Sequence, residues 1–556
     1  MIQIKNKKME KFLSSDIFRI ILLIIIASLV RVYKLSGEVF RTDEANYVAT
    51  AFHEGLRNLI HFIHTTEHPP FYFVIYHVWG RTFGISQQAL LAFSVVSGVI
   101  SVVLIYFIVK KLFKDKDLAF VSALLTCFSL FHFHFSRDAT EYAFFPMMIF
   151  LSTFAFIVFI QSKPIVLHRI LSGAFYVITA SLLFYTHYYA FMIIIIHNLA
   201  FFIFWKKHKK IILIWIIMQL IILLLIMPEL GYTYEAAHMY GKGLDQVPSV
   251  GEYIYNVKEW NSRVIYLFNI GELKTVFKAY LGKEGLARVL NKLVLLLINF
   301  IIIIGIILSI IQINQPKRIR RTKKKKGLKE FITIDKDNLL GIVLLLLLAL
   351  VPIIFTAIFP AVFRTKAMMH TVLVYNTFLA LGIWRISRKK AVRIALVAIF
   401  IIIGIMNIHH SIENHYFFGE EENWNGVAEL LKNPENQAEL IVIHVDYNMG
   451  SFLYEYNFSL VGDVVTGGYY PTNSSTSNLI TVPSTYIRNI TGRTVFPSLT
   501  ALNSSLRDID DLWLVSSVHA KNIYPNRDVF NLVEKDFKNV SYHRYGIVYA
   551  TRYKRK

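Results

Sequence analysis

The chain has 556 residues, of which 55% are hydrophobic and only 17% charged, and its mean hydropathy is +0.48. Soluble chains carry about 25% charged residues, so a single soluble enzyme, a disordered chain and a collagen-like chain are excluded and a polytopic membrane protein is indicated. One cysteine, Cys127, excludes an intramolecular disulfide and a cysteine-rich metal site; the +22 balance of 59 Lys+Arg over 37 Asp+Glu belongs first to membrane topology.

A spanning helix needs about 20 apolar residues. The first such run, 17–35, follows Lys5, Lys7, Lys8 and Lys11, and no small-residue cleavage site comes after it. It reads as a retained span with a cytoplasmic N-terminus. Ten more runs follow, at about 89–109, 118–135, 143–160, 170–187, 190–205, 211–228, 291–313, 339–359, 368–384 and 392–408. Basic clusters then fall on one side: Lys110/Lys111/Lys114/Lys116, Lys163/Arg169, Lys206/Lys207/Lys209/Lys210, Lys317–Lys329 and Arg385/Arg388/Lys389/Lys390/Arg393. The positive-inside rule makes all of these loops cytoplasmic. Between Arg169 and Lys206 the only place to turn is the polar break Tyr185-Thr186-His187-Tyr188-Tyr189, which puts His187 at the outer surface. The basic runs lack interleaved aromatics, so nucleic acid is not a partner.

Eleven spans with the N-terminus inside leave the C-terminus outside, together with the segments 36–88, 229–290 and 409–556. Within the first, Phe71–Phe83 is apolar but too short to span, and reads as an interfacial helix. The last reads as a separate small α/β domain. Its signals are helical spacing at Trp424, Val427, Leu430 and Leu431, strand-like runs at Leu440–Val445, Leu512–Ser516 and Tyr545–Ala550, and a helical stretch near Asn526–Phe537. Five N-x-[S/T] sequons, at Asn457, Asn473, Asn489, Asn503 and Asn539, all lie there, as exposure outside the cell would allow. The expected domains are thus 1–408, a membrane bundle, and 409–556, an extracytoplasmic α/β domain.

Charges at the outer edge are few. Asp43-Glu44 sit in Arg41-Thr42-Asp43-Glu44-Ala45-Asn46-Tyr47, where the plain structural role for Asp43 is to cap a helix beginning at Ala45. Glu67-His68-Pro69-Pro70-Phe71-Tyr72 follows. Between the third and fourth spans stands Ser136-Arg137-Asp138-Ala139-Thr140-Glu141-Tyr142, three charges within five residues, for which ion pairing at a helix end is the alternative reading. Phe363-Arg364-Thr365-Lys366 puts positive charge on the side opposite to the topology signal, and an anion at the outer surface accounts for it, because Arg and Lys bind phosphate.

In this order and spacing, these motifs, with Thr186-His187-Tyr188, Pro360…Arg364 and Asn423-Trp424-Asn425-Gly426-Val427-Ala428, resemble the family 39-type glycosyltransferases of the GT-C fold, which include protein O-mannosyltransferases and the aminoarabinose transferase of lipid A. The resemblance covers most of 15–435. It implies a mostly α, GT-C-like helical bundle of about 11 transmembrane helices that moves a sugar from a polyprenyl-phosphate donor to an acceptor hydroxyl on the outer face. Carried over, it makes Asp43 the catalytic carboxylate with Glu44 beside it, and Arg137 and Arg364 the binders of the donor phosphate. Many relatives have Arg where Thr140 stands and Tyr where Thr365 stands; Lys366 is placed to compensate. Glu67, His68, Asp138, Glu141, Tyr142 and His187 are then expected to support the substrates.

Chemistry points the same way. No nucleotide sugar exists outside the membrane, so the donor must arrive activated and lipid-anchored. The acceptor hydroxyl needs a base and the leaving phosphate needs cations. The one cofactor the residues suggest is a divalent cation, because His61, His64 and His68 have spacings that suit ligands on one helical face; an interfacial role for these histidines, bonding lipid headgroups or water, is the alternative. His53-Glu54 is not an H-E-x-x-H motif, since Arg57 stands at the second histidine position, and Asp508-Ile509-Asp510 reads as a turn. The rival functions are a transporter or flippase of lipid-linked glycans, which would bury charges near the midplane of broken helices, and a non-catalytic glycan-binding membrane protein.

Overall fold

The computed structural model describes residues 15–37, 40–52, 59, 63, 68–240, 278, 284–313, 332–334, 336–358, 366–413, 422–444, 452, 454–455, 464–465, 468–469, 479–482, 502–503, 506–517 and 528–556. Glu67, His53, His61, His64, Arg364, Thr365, the basic run Lys317–Lys329 and the sequons at Asn457, Asn473 and Asn489 lie outside the described residues. The chain divides into two compact units. One comprises Met1–Tyr33, Ser94–Arg137 and Glu141–Glu413; the other comprises Lys34–Phe93, Asp138–Thr140 and Asn414–Lys556.

In chain order the helices are α1 (Asp16–Val32), α2 (Thr42–Phe52), α3 (Pro70–Phe83), α4 (Gln87–Phe113), α5 (Lys116–Cys127), α6 (Leu130–Phe135), α7 (Phe144–Ile160), α8 (Val166–Phe184), α9 (Ala190–Ile203), α10 (Ile212–Tyr240) and α11 (Glu284–Ile310). A short antiparallel pair, β1 (Ile311–Ile313) and β2 (Ile332–Ile334), joins α11 to α12 (Lys336–Ile358), followed by α13 (Met369–Ile386) and α14 (Lys390–Glu413). Among the described residues seven helices are long and apolar enough to cross a membrane: Gln87–Phe113, Val166–Phe184, Trp205–Tyr232, Gly285–Ile310, Asn338–Ile358, Lys366–Ile386 and Lys390–Glu413. α7 and α9 are apolar but shorter. The chain is an integral multi-pass membrane protein.

Local chemistry sets most of the ends. Ser15 Oγ accepts the Phe18 N–H at 3.2 Å and starts α1, and Asp115 accepts two N–H groups, those of Asp117 and Leu118, at the start of α5. α3 opens on Pro70 at its first position and stops at Gly84, whose φ of 97° L-side chains avoid. The polar stretch Tyr185–Tyr189 is the turn between α8 and α9, as its sequence implies. The predicted span 118–135 is instead two helices. It breaks at Phe128–Ser129, where the N–H groups of Phe128 and Ser129 turn back to Leu125 and Thr126. Hydropathy cannot register this break, because the residues on both sides remain apolar. Gly404 of α14 lies against it: a Cβ there would meet the Phe128 carbonyl at 2.7 Å.

The second unit contains α15 (Trp424–Lys432), β3 (Leu440–His444), the ribbon β4 (Val464–Val465) and β5 (Gly468–Tyr469), β6 (Leu479–Val482), β7 (Asp511–Ser517), α16 (Asp528–Asp536), β8 (Phe537–Tyr545) and β9 (Val548–Arg555). The main sheet has the order β6-β3-β7-β9-β8, parallel from β6 to β7 and antiparallel beyond. Alternation along β3 and β7 feeds two cores. Ile441, Ile443, Trp513 and Val515 pack with Trp424, Val427 and Leu431 on one face, while Leu440, Val442, Leu512 and Leu514 pack with Val529 and Val533 on the other. Ala49 of α2 belongs to the first core, so the first loop is seated on this sheet. The run 545–550, read as one strand, contains a hairpin turn: Gly546, at φ 63°, and Ile547 separate β8 from β9, and Val548–Ala550 open β9. The turn expected at Asp508-Ile509-Asp510 lies two residues earlier, at 506–508, before β7.

Within the membrane unit α11 and α13 approach backbone to backbone. A Cβ on Gly382 would run into the Ile301 carbonyl oxygen, and one on Gly305 into the Cα of Gly382. Small residues at such crossings are how helices pack in lipid, where no hydrophobic effect drives them together. Gly382→Ala should therefore lower the thermal midpoint in detergent. Overpacking costs about 1–3 kcal/mol, and the upper part of that range is expected because backbone, not a side chain, must move. An unchanged midpoint would contradict the crossing.

Candidate active site

The first cluster lies in the sheet-containing unit. α2 begins at Thr42, three residues earlier than an Asp43 cap would start it, and Asp43 sits exposed in the first turn. Glu44 performs the capping instead. Its Oε2 accepts the Arg41 backbone N–H at 3.0 Å, which is the reach-back of a capping box. The same oxygen accepts the Arg41 Nε–H at 3.0 Å, and Oε1 accepts the Ala139 N–H at 2.8 Å. Arg41 Nη2 stands 2.8 Å from Asp138 Oδ2. Both carboxylates are buried, Glu44 at 3% and Asp138 at 1% exposure. One guanidinium thus bridges the first loop and the segment Asp138–Thr140.

Electrostatics follow the geometry. Burial opposes the charge on Arg41, but Asp138 and Glu44 more than reverse this and raise its pKa. Burial raises the Glu44 pKa, and the Arg41 charge works against the rise. Tyr76 of α3, fully buried, has its hydroxyl pushed well up by burial and by the nearby Glu44 and Asp138.

Asp43 faces different surroundings. Its carboxylate acts on His68, whose pKa falls to about 4 through burial, with Asp43 offsetting part of the fall. His68 is therefore neutral near pH 7, and its Nε2 lies 3.2 Å from the Tyr47 hydroxyl. Tyr47 in turn stacks on Phe73 at 5.3 Å and meets Tyr72 edge-on at 5.9 Å. An exposed carboxylate, a neutral imidazole and a bank of aromatic rings are thus brought together by α2 and the start of α3.

The second cluster lies in the membrane unit. His187 Nε2 is 3.9 Å from Glu141 Oε1, and the ring stacks on Phe145 at 4.6 Å. Tyr142 lies 6.3 Å from the same ring, and Lys366 Nζ sits 5.4 Å above the Tyr142 ring. Four residues singled out by sequence, Glu141, Tyr142, His187 and Lys366, are therefore neighbours. Arg137 is buried, donates from Nη1 to the Tyr33 carbonyl at 2.6 Å, and lies 4.8 Å over Phe133.

Sequence reasoning passed over Arg41, Tyr47, Tyr76 and Glu229. Arg41 was in view but its partner Asp138 is far along the chain. Tyr47 is one helical turn from Asp43, which places it on the same face. Glu229, at 1% exposure, ends the span Trp205–Tyr232 near the turn 185–189, where the Tyr185 hydroxyl donates to the Leu225 carbonyl at 2.9 Å. Among the described residues no group of three or more His, Cys, Asp or Glu is arranged to hold a metal ion.

Residues 67–232 match the family described as dolichyl-phosphate-mannose-protein mannosyltransferase. Among solved structures, the chain is similar to ArnT from Cupriavidus metallidurans in the apo state, with a TM-score of 0.54 and 10% identity over 96% of this chain and 97% of that one. It is also similar to the Archaeoglobus fulgidus oligosaccharyltransferase in complex with Zn and sulfate, with a TM-score of 0.52 and 15% identity over 94% and 72%. At such identities the likeness is one of fold, and the fold is GT-C-like. No curated sequence matches the chain.

Two outcomes follow from the first cluster. Arg41→Ala strands two buried carboxylates, and breaking a buried pair costs about 3–5 kcal/mol; Arg41 keeps 23% side-chain exposure, so the low end is expected. The triple change Arg41→Met, Glu44→Gln, Asp138→Asn should recover most of the thermal midpoint, and no recovery would show that the charges are not coupled. For His68 the folded state binds fewer protons than the unfolded one between its ordinary pKa of 6.5 and about 4. Its contribution is thus complete above that window and is lost as pH falls through it. A melting series from pH 7.5 to 4 should fall less steeply in His68→Asn than in wild type.

Proposed function

We propose that this chain, a membrane glycosyltransferase of the protein-mannosyltransferase type over residues 67–232, moves a single sugar from a polyprenyl phosphate to an acceptor hydroxyl at the outer face of the membrane. In this reading the chain crosses eleven times, α1 included. The basic loops are cytoplasmic, and the sheet domain stands outside. The exposed sequons Asn503 and Asn539 agree with that side. ArnT from Cupriavidus metallidurans has been solved bound to undecaprenyl phosphate, which is the kind of donor carrier proposed here.

The observation that carries the reading is the contrast between Asp43 and its neighbour. Glu44 and Asp138 are buried and bound to Arg41, whereas Asp43 is exposed beside a neutral His68 and an aromatic bank. Among the described carboxylates at this end of α2, Asp43 is the one exposed to an incoming substrate. In the transfer, the acceptor oxygen attacks the anomeric carbon and gives its proton to the Asp43 carboxylate. The new oxygen–carbon bond forms as the bond to the phosphate oxygen breaks, and the electron pair leaves with the phosphate. A single displacement inverts the anomeric centre.

Charge accumulates on the departing phosphate, and cations must meet it. We assign that task to Lys366 and Arg364, with Arg137 adding its charge from a buried position. Glu67, His68, Glu141, Tyr142 and His187 are assigned to hold the sugar and the acceptor, and Glu44 and Asp138 to hold Asp43 in register through Arg41. Any divalent cation would depend on His61 and His64 joining His68.

Asp43→Asn in the full-length protein tests this. General-base catalysis contributes about 10²–10⁴-fold, so transfer should fall by that factor while native mass spectrometry still finds the same lipid-linked sugar bound. Transfer within a few-fold of wild type would remove Asp43 as the base.

A further inference from the structure

Arg31 is an expensive residue with no assigned purpose. It lies in the last turn of α1, inside the membrane unit, with 0% exposure. Burying a guanidinium costs several kcal/mol unless a carboxylate and a full set of hydrogen bonds compensate. Among the described residues no carboxylate pairs with it. Its Nη1 donates to the Ala27 carbonyl at 3.0 Å, and its Nη2 lies 2.8 Å from His132 Nδ1. Among the described residues its Nε, and Nε2 of the equally buried His132, find no partner. Gly98 of α4 seals that side: a Cβ there would meet Arg31 Nε at 3.0 Å and collide with Ser136 Oγ.

His132 belongs to α6, and α6 leads straight into Arg137–Tyr142. Six residues are too few for a helix to persist on its own. α6 is held from both sides: His132 by Arg31, and His134 Nε2 by Ser411 Oγ of α14 at 2.7 Å. Ser136 closes it by donating to the His132 carbonyl at 2.6 Å, in the space that Gly98 leaves. The next residue, Arg137, donates to the Tyr33 carbonyl, which lies just beyond Arg31. The end of α1 therefore grips the start of the 136–142 loop twice.

We propose that Arg31 is a positioning residue: through His132 it clamps α6 and so sets where the 136–142 loop enters the transfer site. A desolvated cation is stiffer than an apolar contact here, because any rotation of α6 would leave the guanidinium with a single hydrogen bond. The proposal rests on the reading that the 136–142 loop serves transfer.

The test uses the full-length protein in lipid nanodiscs with Arg31→Met, His132→Leu and His132→Asn, the last placing Oδ1 where Nδ1 accepts. Arg31→Met should keep or raise the thermal midpoint, since a buried charge is exchanged for an apolar chain of similar length. Backbone amides of 130–142 should exchange at least about tenfold faster, with α5 and α7 unchanged. With polyprenyl-phosphate mannose supplied as the donor probe, kcat should fall about 10²-fold, the scale of a misplacement near 1 Å, with KM within threefold. His132→Leu should copy this, and His132→Asn should restore both readouts. Unchanged exchange in 130–142, unchanged kcat, or loss of protection over the whole chain with a lowered midpoint would each overturn the proposal. If Arg31→Met loses turnover while Asp43→Asn keeps it, the Asp43 reading fails and the clamp stands.

Discussion

Two buried carboxylates, Glu44 and Asp138, share the guanidinium of Arg41, and most of what can be said about chemistry depends on that bridge. Without it, burying either carboxyl group would cost more than backbone N–H groups return. With it, the first turn of α2 and the segment Asp138–Thr140 are held as one piece, although Glu44 and Ala139 are 95 residues apart in the chain. The bridge is partly open to solvent on the Arg41 side, which lowers the cost of the cation while both carboxyl groups stay buried.

A second tie of the same kind operates in the membrane unit, where Arg137 donates to Tyr33 and Arg31 to His132. Here the partners are the backbone carbonyls of Tyr33 and Ala27 and the Nδ1 of His132. The difference follows from the solvent. In a bundle bounded by lipid, a buried carboxylate adds a second desolvation cost, whereas a carbonyl is already present and already dry. The two loops are thus tied at two levels, by ion pairing in one unit and by charge-assisted hydrogen bonds in the other.

Much of this could be read from the chain alone, and the failures have common physical causes. The apolar run Phe71–Phe83 announced α3, the polar stretch at Tyr185–Tyr189 announced a turn, and Trp424, Val427 and Leu431 do fill one face of α15. These signals are local: caps, breakers and periodicity. The break at Phe128–Ser129 is tertiary, supported by Gly404 of a helix some 270 residues away on the scale of the His134–Ser411 contact beside it, and no window of hydropathy contains that information. The 545–550 hairpin was legible in Gly546, but apolar residues on both sides of the glycine imitate a single strand. In the site, the grouping of Glu141, Tyr142 and Lys366 with His187 agrees with the order of the motifs, while Arg41 was invisible as a bridge because its partners are set by topology rather than spacing.

The same periodicity explains why two adjacent carboxylates have such different surroundings. Successive residues on a helix are separated by about 100°, so when Glu44 turns inward to reach the Arg41 N–H and Ala139, Asp43 is carried away from that contact toward solvent. Tyr47, four residues on, lies on the Asp43 side and brings its hydroxyl to His68. Two groups of nearly equal intrinsic acidity are thereby separated by environment, one dry and paired, the other wet and beside a neutral ring. Separation of this kind is how one constellation assigns a structural and a chemical role to like residues. The capping turn of α2 accomplishes it with a single step in sequence, which is also why exchanging Asp43 and Glu44 would not be a conservative change.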